Sequence, residues 1–264
     1  MLSHLFVGLC LLFIQVAAVL VNIDRYKGEI QRTHNMLRSW QNAADMKYMY
    51  WDSDLEARAG QWSEGCRFEH QMRGYGENLA FMSSTGPAPR PRETIMDGIR
   101  NWYNEISLWQ RRSPQQRLQF CGAACHYTQL VWSRTSRLGC TLSYCPVLVD
   151  DRGSTYRNAM YFVCFYDPQG NIVGQPVFTP GPPCTRCPGG REPCRNGLCA
   201  GPDIARRFRR SAAITESWMC QSPKVKCSSP NVPEKCPTKC SSENEGIFQT
   251  HRYVTLLFSD DTDD

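Results

Sequence analysis

No Asn-x-Ser/Thr tripeptide occurs in the 264 residues, so the chain offers no N-linked glycosylation acceptor. No His-Glu-x-x-His occurs either, and no local motif sets a nucleophile beside a base, which speaks against a hydrolase. Beyond the first eighteen residues no apolar run approaches the length that spans a bilayer. Prenylation and GPI signals are absent from the C-terminal end. Excess charge is small: 30 Lys and Arg against 25 Asp and Glu give +5, too little to imply a nucleic-acid partner.

What is present begins with residues 1–18, "MLSHLFVGLCLLFIQVAA", which carry no Lys, Arg, Asp or Glu. The apolar run is short for a membrane span and ends in small residues, so it reads as a signal peptide, with a membrane anchor as the competing reading. The mature chain is then secreted, extracellular and without a membrane span. Cysteine use agrees. Of 15 cysteines, Cys10 leaves with the signal peptide and an even set remains for pairing outside the cell.

Helical spacing recurs three times: Tyr26, Ile30, Thr33, Leu37 and Trp40; Leu55, Ala59, Trp62 and Cys66; Ile95, Ile99, Trp102, Ile106 and Trp109. Asp52 or Ser53 is placed to cap the second helix. "CHYTQLVWSR" makes a fourth, shorter helix. Residues 138–144 and 158–166 read as strands, the second apolar on both faces as a covered central strand would be, and "DPQGN" (167–171) as a turn. A sheet between helical layers follows. Pro and Gly in "GQPVFTPGPPC" end the regular pattern, and a cysteine-dense segment begins there.

"HNMLR" (34–38), "CRFEH" (66–70), "GENLA" (76–80), "WYNE" (102–105), "CHYTQLVW" (125–132) and "YFVCFYDPQGN" (161–171) stand in an order that resembles the CAP superfamily (SCP domain): cysteine-rich secretory proteins, antigen 5 and pathogenesis-related proteins. With its shortened tail the chain is similar to venom-allergen-like members. The resemblance covers roughly residues 24–175. It implies an α+β fold, a three-layer α-β-α sandwich, and a cleft lined by two histidines and two glutamates. Matched motif by motif these are His70, Glu77, Glu105 and His126; His34 is left to helix packing. Phe165 stands where the family usually has a polar residue.

Two readings of the four residues stay open. Neutral imidazoles ligate zinc and similar ions, with a carboxylate orienting each ring, so His70 and His126 are candidate ligands of an exchangeable divalent cation such as Zn. Alternatively each histidine only hydrogen-bonds a glutamate and ties helices together. No cofactor is required in either case. A zinc hydrolase is disfavoured, because the family the chain resembles is not generally enzymatic. That family implies lipid binding, of sterols or fatty acids. Leu108, Trp109 and Phe120, large apolar groups in the otherwise polar 105–120 segment, are the candidate contacts, although Trp109 also fits as the last core residue of its helix.

The organisation expected is a signal peptide (1–18), a CAP domain (19–178), a cysteine-rich hinge-like module (179–202), a basic linker (203–219) and a short cysteine-rich segment with an acidic tail (220–264). Disulfides are expected to use Cys66, Cys121, Cys125, Cys140, Cys145 and Cys164 in the first domain, with Cys121 and Cys125 close enough for a local loop. Cys184, Cys187, Cys194 and Cys199 serve the second, and Cys220, Cys227, Cys236 and Cys240 the last. "RFRR" fits convertase cleavage after Arg210, against the plainer reading of a solvated basic linker. The competing function is an extracellular effector or channel modulator whose tail engages a surface protein.

Overall fold

The three helical spacings reappear as buried stripes in the computed structural model, which describes residues 18–71, 74–190 and 192–201. All of the signal peptide but Ala18, together with Cys220, Cys227, Cys236, Cys240, Arg210 with its linker and the acidic tail, lies outside the described residues.

Strand β1 (Val19–Val21) leads to α1 (Asp24–Ser39), which buries Tyr26, Ile30, Thr33 and Leu37. After β2 (Tyr50–Trp51), α2 (Ser53–Ser63) starts at Asp52, whose carboxylate accepts the N–H groups of Asp54 and Leu55. Cys66 does not belong to that helix, contrary to its spacing. The helix ends at Ser63 and Cys66 takes a left-handed φ of 49°, which turns the chain into β3 (Arg67–Phe68). "GENLA" opens strand β4 (Gly76–Met82).

The third spacing spans two helices, α3 (Pro91–Asn104) and α4 (Ile106–Gln110), divided at Glu105. A short α5 (Pro114–Gln119) with a Ser113/Gln116 capping box follows and buries none of its residues. A 3-10 turn (Gly122–Ala124) then delivers α6 (Cys125–Leu130).

Strands β5 (Arg137–Asp150) and β6 (Thr155–Asp167) form the centre of a six-stranded sheet of order β1-β5-β6-β4, with β2 and β3 paired in parallel to the two ends of β5. Alternation along β6 divides the core. Met160, Phe162, Cys164 and Tyr166 face α1, α3 and α6, while Ala159, Tyr161, Val163 and Phe165 face α2. The architecture is the three-layer sandwich. Gly139 of β5 permits the tight seat of α2, since a Cβ there would stand 2.2 Å from the Glu56 nitrogen.

Cys66–Cys145 ties the segment after α2 to β5, Cys140–Cys164 bridges β5 and β6 within the sheet, and Cys121–Cys125 closes the expected local loop. Cys184–Cys194 and Cys187–Cys199 staple the following segment, whose hairpin β7 (Cys194–Arg195) and β8 (Leu198–Cys199) buries Leu198 in the main core. Backbone bonds from Cys199 to Met46 and from Tyr48 to Cys199, both 2.8–2.9 Å, fasten it there. No helix among the described residues is long and apolar enough to cross a membrane.

Candidate functional site

The four motif residues form two matched pairs. His70, in the connection from β3 to β4, donates from Nδ1 to Glu77 Oε1 at 2.9 Å, and the second oxygen of Glu77 accepts the Gln71 N–H at 3.3 Å. His126, in the first turn of α6, donates from Nδ1 to Glu105 Oε1 at 2.7 Å, and the second oxygen of Glu105 accepts the Tyr127 N–H at 3.0 Å. The interruption between α3 and α4 falls on Glu105, and its carboxylate satisfies a first-turn donor of α6 that has no partner within that helix. Both glutamates are nearly buried; His126 is 9% exposed and His70 30%.

An ionised carboxylate can only accept, so Nδ1 carries the proton in both rings. The lone pair of a neutral ring is then on Nε2, the tautomer that a carboxylate-anchored metal ligand needs. The Trp102 ring lies nearly parallel to His126, centroids 6.2 Å apart, and further fixes its orientation.

Strand β4 joins the pairs. Glu77 serves the first, and the next residue, Asn78, donates Nδ2 to the His126 carbonyl at 3.0 Å. Gly76 lets this end of the strand reach α6, because a Cβ there would stand 2.1 Å from the Gln129 side-chain oxygen. Among the described residues, the only three metal-type donors within 4.8 Å of one another are Cys184, Cys187 and Cys199, whose sulfurs are held in disulfides. The histidines and glutamates are thus two anchored pairs and not a preassembled three-ligand cage.

The candidate lipid contacts separate. Leu108 packs against the core, Trp109 is 6% exposed, and Phe120 is 47% exposed. Trp109 and Phe120 line one cleft with Leu118, Ile172 and Val173, and the guanidinium of Arg117 lies 5.5 Å over the Trp109 ring. The enclosed space is only about 10 Å³, room for one water. The opposite wall, residues 171–177, was missed by sequence reasoning; the adjacent apolar pair Ile172-Val173 after a turn was its one signal. Phe165, the departure from the family pattern, faces Glu77 across the β4–β6 ladder and stacks on Tyr75, with 8° between the rings.

Residues 31–166 match the family described as CAP: cysteine-rich secretory protein family. The chain is 34% identical over 188 residues to the Homo sapiens protein named cysteine-rich secretory protein LCCL domain-containing 2, covering 66% of this chain and 36% of that one. It is 32% identical over 184 residues to peptidase inhibitor 15 of Xenopus laevis, covering 65% of this chain and 67% of that one. The chain therefore spans about a third of the first relative's length and two thirds of the second's. The structure titled BmVAL-1 shares the fold with a TM-score of 0.58 at 23% identity, covering 67% of this chain and 94% of that one. The one titled NaASP2 with Zn2+ has a TM-score of 0.54 at 27% identity, covering 67% and 95%. A match over more than half the chain, on the three-layer sandwich these structures share, makes this protein a member of the CAP family.

Proposed function

We propose that the chain is a secreted, non-enzymatic CAP protein that binds a lipid, of sterol or fatty-acid class, in the cleft between residues 106–121 and 171–177. The domain at 19–178 is followed, in this reading, by the hinge-like module at 179–202. Secretion is supported by the uncharged N-terminal eighteen residues and by five disulfides, which persist in oxidising compartments. The absence of enzymatic activity is supported by relatives named as secretory proteins or peptidase inhibitors.

One observation carries the lipid reading: a buried indole, Trp109, and an exposed Phe120 share a cleft with Leu118, Trp132, Ile172, Val173 and Val177. Its 10 Å³ of enclosed space means the two walls must part for a ligand to enter. Purified full chain should bind radiolabelled cholesterol or palmitate saturably, and Phe120→Ala should weaken that binding at least about tenfold. No saturable binding of either ligand removes the reading.

A divalent cation is proposed as an exchangeable occupant, because a carboxylate anchors each imidazole at Nδ1 and, among the described residues, no group of three histidine or carboxylate donors forms a closed cage. His70 and His126 would hold it, and Glu77 and Glu105 would keep each ring in its ligand tautomer. Zinc titrated by calorimetry should bind weakly, and the heat should vanish in His70→Ala/His126→Ala. Zinc binding indifferent to that double change would place the ion elsewhere.

A further inference from the structure

The rim of the cleft has a character that binding a ligand inside it does not require. Among the described residues seven large hydrophobics are exposed, and four of them lie at this opening: Leu118 at 45%, Phe120 at 47%, Ile172 at 36% and Val173 at 68%. They come from two separate segments, held together by the Gly174 N–H donating to the Leu118 carbonyl at 2.7 Å. Helix α5 buries none of its residues, so this edge is open to solvent. Such a cluster is unusual on a solvated surface and marks an interaction site.

Its charge is of one sign. Neither Asp nor Glu occurs in residues 106–137 or 168–190, although the chain has 25 of them. Arg112 donates to the carbonyls of Gln116 and Phe120, Arg117 to that of Gln110, and Arg134 to the side-chain oxygen of Gln175. All of these acceptors are neutral. Arg111 is exposed, and among the described residues no carboxylate pairs with any of the four arginines. No ion pair with a carboxylate therefore neutralises them.

Exposed apolar side chains in segments whose arginines have no carboxylate partner complement one kind of surface, an anionic bilayer. There the apolar groups enter the headgroup–acyl boundary and the cations meet phosphate and carboxylate. A second copy of the chain would bring like charges face to face, which opposes association. We propose that this rim docks the protein on anionic phospholipid membranes through Leu118, Phe120, Ile172 and Val173, with Arg111, Arg112, Arg117 and Arg134 facing the headgroups. Docking does not require the cleft to open, so it stands apart from the lipid-binding reading while placing the cleft mouth at a source of ligand.

The test uses the full chain and sterol-free vesicles of phosphatidylcholine, alone or with about 30% phosphatidylserine, in a flotation assay near physiological ionic strength. The protein should float with the phosphatidylserine vesicles and not with the neutral ones, and high salt should release it. Arg111→Glu/Arg134→Glu and Phe120→Ser/Val173→Ser should each lower the partition coefficient at least about tenfold. Val19→Ser, at an exposed apolar position of β1, should leave it unchanged. Equal binding to neutral vesicles, no binding to either, wild-type partition in both double variants, or a soluble dimer that buries the rim would overturn the proposal. Saturable cholesterol uptake from cyclodextrin, measured in parallel, separates the two readings. Uptake without vesicle binding defeats docking alone, and vesicle binding without uptake of cholesterol or, in the same assay, of palmitate defeats the lipid-cleft reading alone.

Discussion

Asn78 donates its side-chain amide to the carbonyl of His126 at 3.0 Å, which ties the strand carrying Glu77 to the short helix carrying the second imidazole. The same nitrogen donates to the Tyr166 hydroxyl at 3.3 Å, and Tyr166 faces His34 Nε2 at 3.0 Å. His34 Nδ1 meets the Ile30 carbonyl at 2.9 Å, and a carbonyl can only accept. Every proton in the chain is thereby assigned: Nδ1 of His34 donates, its Nε2 accepts from Tyr166, and Tyr166 accepts from Asn78.

Asn78→Ala should remove this link without touching either glutamate. Two buried acceptors lose their donor, so the loss should be about 2–3 kcal/mol in urea unfolding. The imidazole proton resonances of His126 should move while those of His70 stay in place. Resonances of His126 unmoved in the variant would show that the helix is positioned by other contacts.

His34 gives the protein a pH dependence of known sign. Complete burial pushes its pKa down to about 4 from an ordinary 6.5, so the folded state keeps the ring neutral. Above pH 6.5 the ring is neutral folded and unfolded, and its contribution is fully present. Between pH 6.5 and 4 only the unfolded chain takes the proton, and stability falls by up to about 1.4 kcal/mol per pH unit from this group. Below 4 the loss levels off. Unfolding free energies across pH 4–7 should be flatter for His34→Gln than for the parent; parallel curves would refute the assignment.

Much of this was legible in the sequence, for physical reasons that differ by element. The helical spacings of α1 and α3 survive because each helix buries one stripe on a sheet, and β6 reads as central because both of its faces are covered. The division at Glu105 was not legible, since a one-residue interruption leaves Ile106 and Trp109 nearly in register with Ile95 and Trp102. Strand β4 was hidden by the weak strand preference of Gly, Glu and Asn, which pairing with β6 overrides. Motifs named His70, Glu77, Glu105 and His126; that His70 pairs with Glu77 and His126 with Glu105 depends on contacts no spacing encodes.

Arg38 should be replaceable by neither Lys nor Met. Fully buried, it makes six hydrogen bonds to the carbonyls of Lys47, Leu130, Trp132, Ser133 and Thr135, and burial lowers its pKa to about 9. The planar fork gathers the end of α6 and the connection that follows it. An ammonium has three donors and cannot span that set. Arg38→Lys should cost about 3–5 kcal/mol in denaturant titration, and a loss under 1 kcal/mol would mean that water can replace the fork.

The disulfides differ in what they restrain. Cys66–Cys145 closes a separation of 79 residues and Cys121–Cys125 one of 4. Loop entropy in the unfolded chain assigns them about 4.5 and about 2 kcal/mol. Cys66→Ala/Cys145→Ala should therefore lower Tm by roughly 10–15 °C, against roughly 5 °C for Cys121→Ala/Cys125→Ala. The short bridge acts locally, since it joins the end of the α5 segment to the residue before His126. Its removal should speed amide exchange in residues 111–128 and leave β5 and β6 protected. Equal Tm losses for the two pairs would show that native packing around the bridges outweighs chain entropy in setting their contribution.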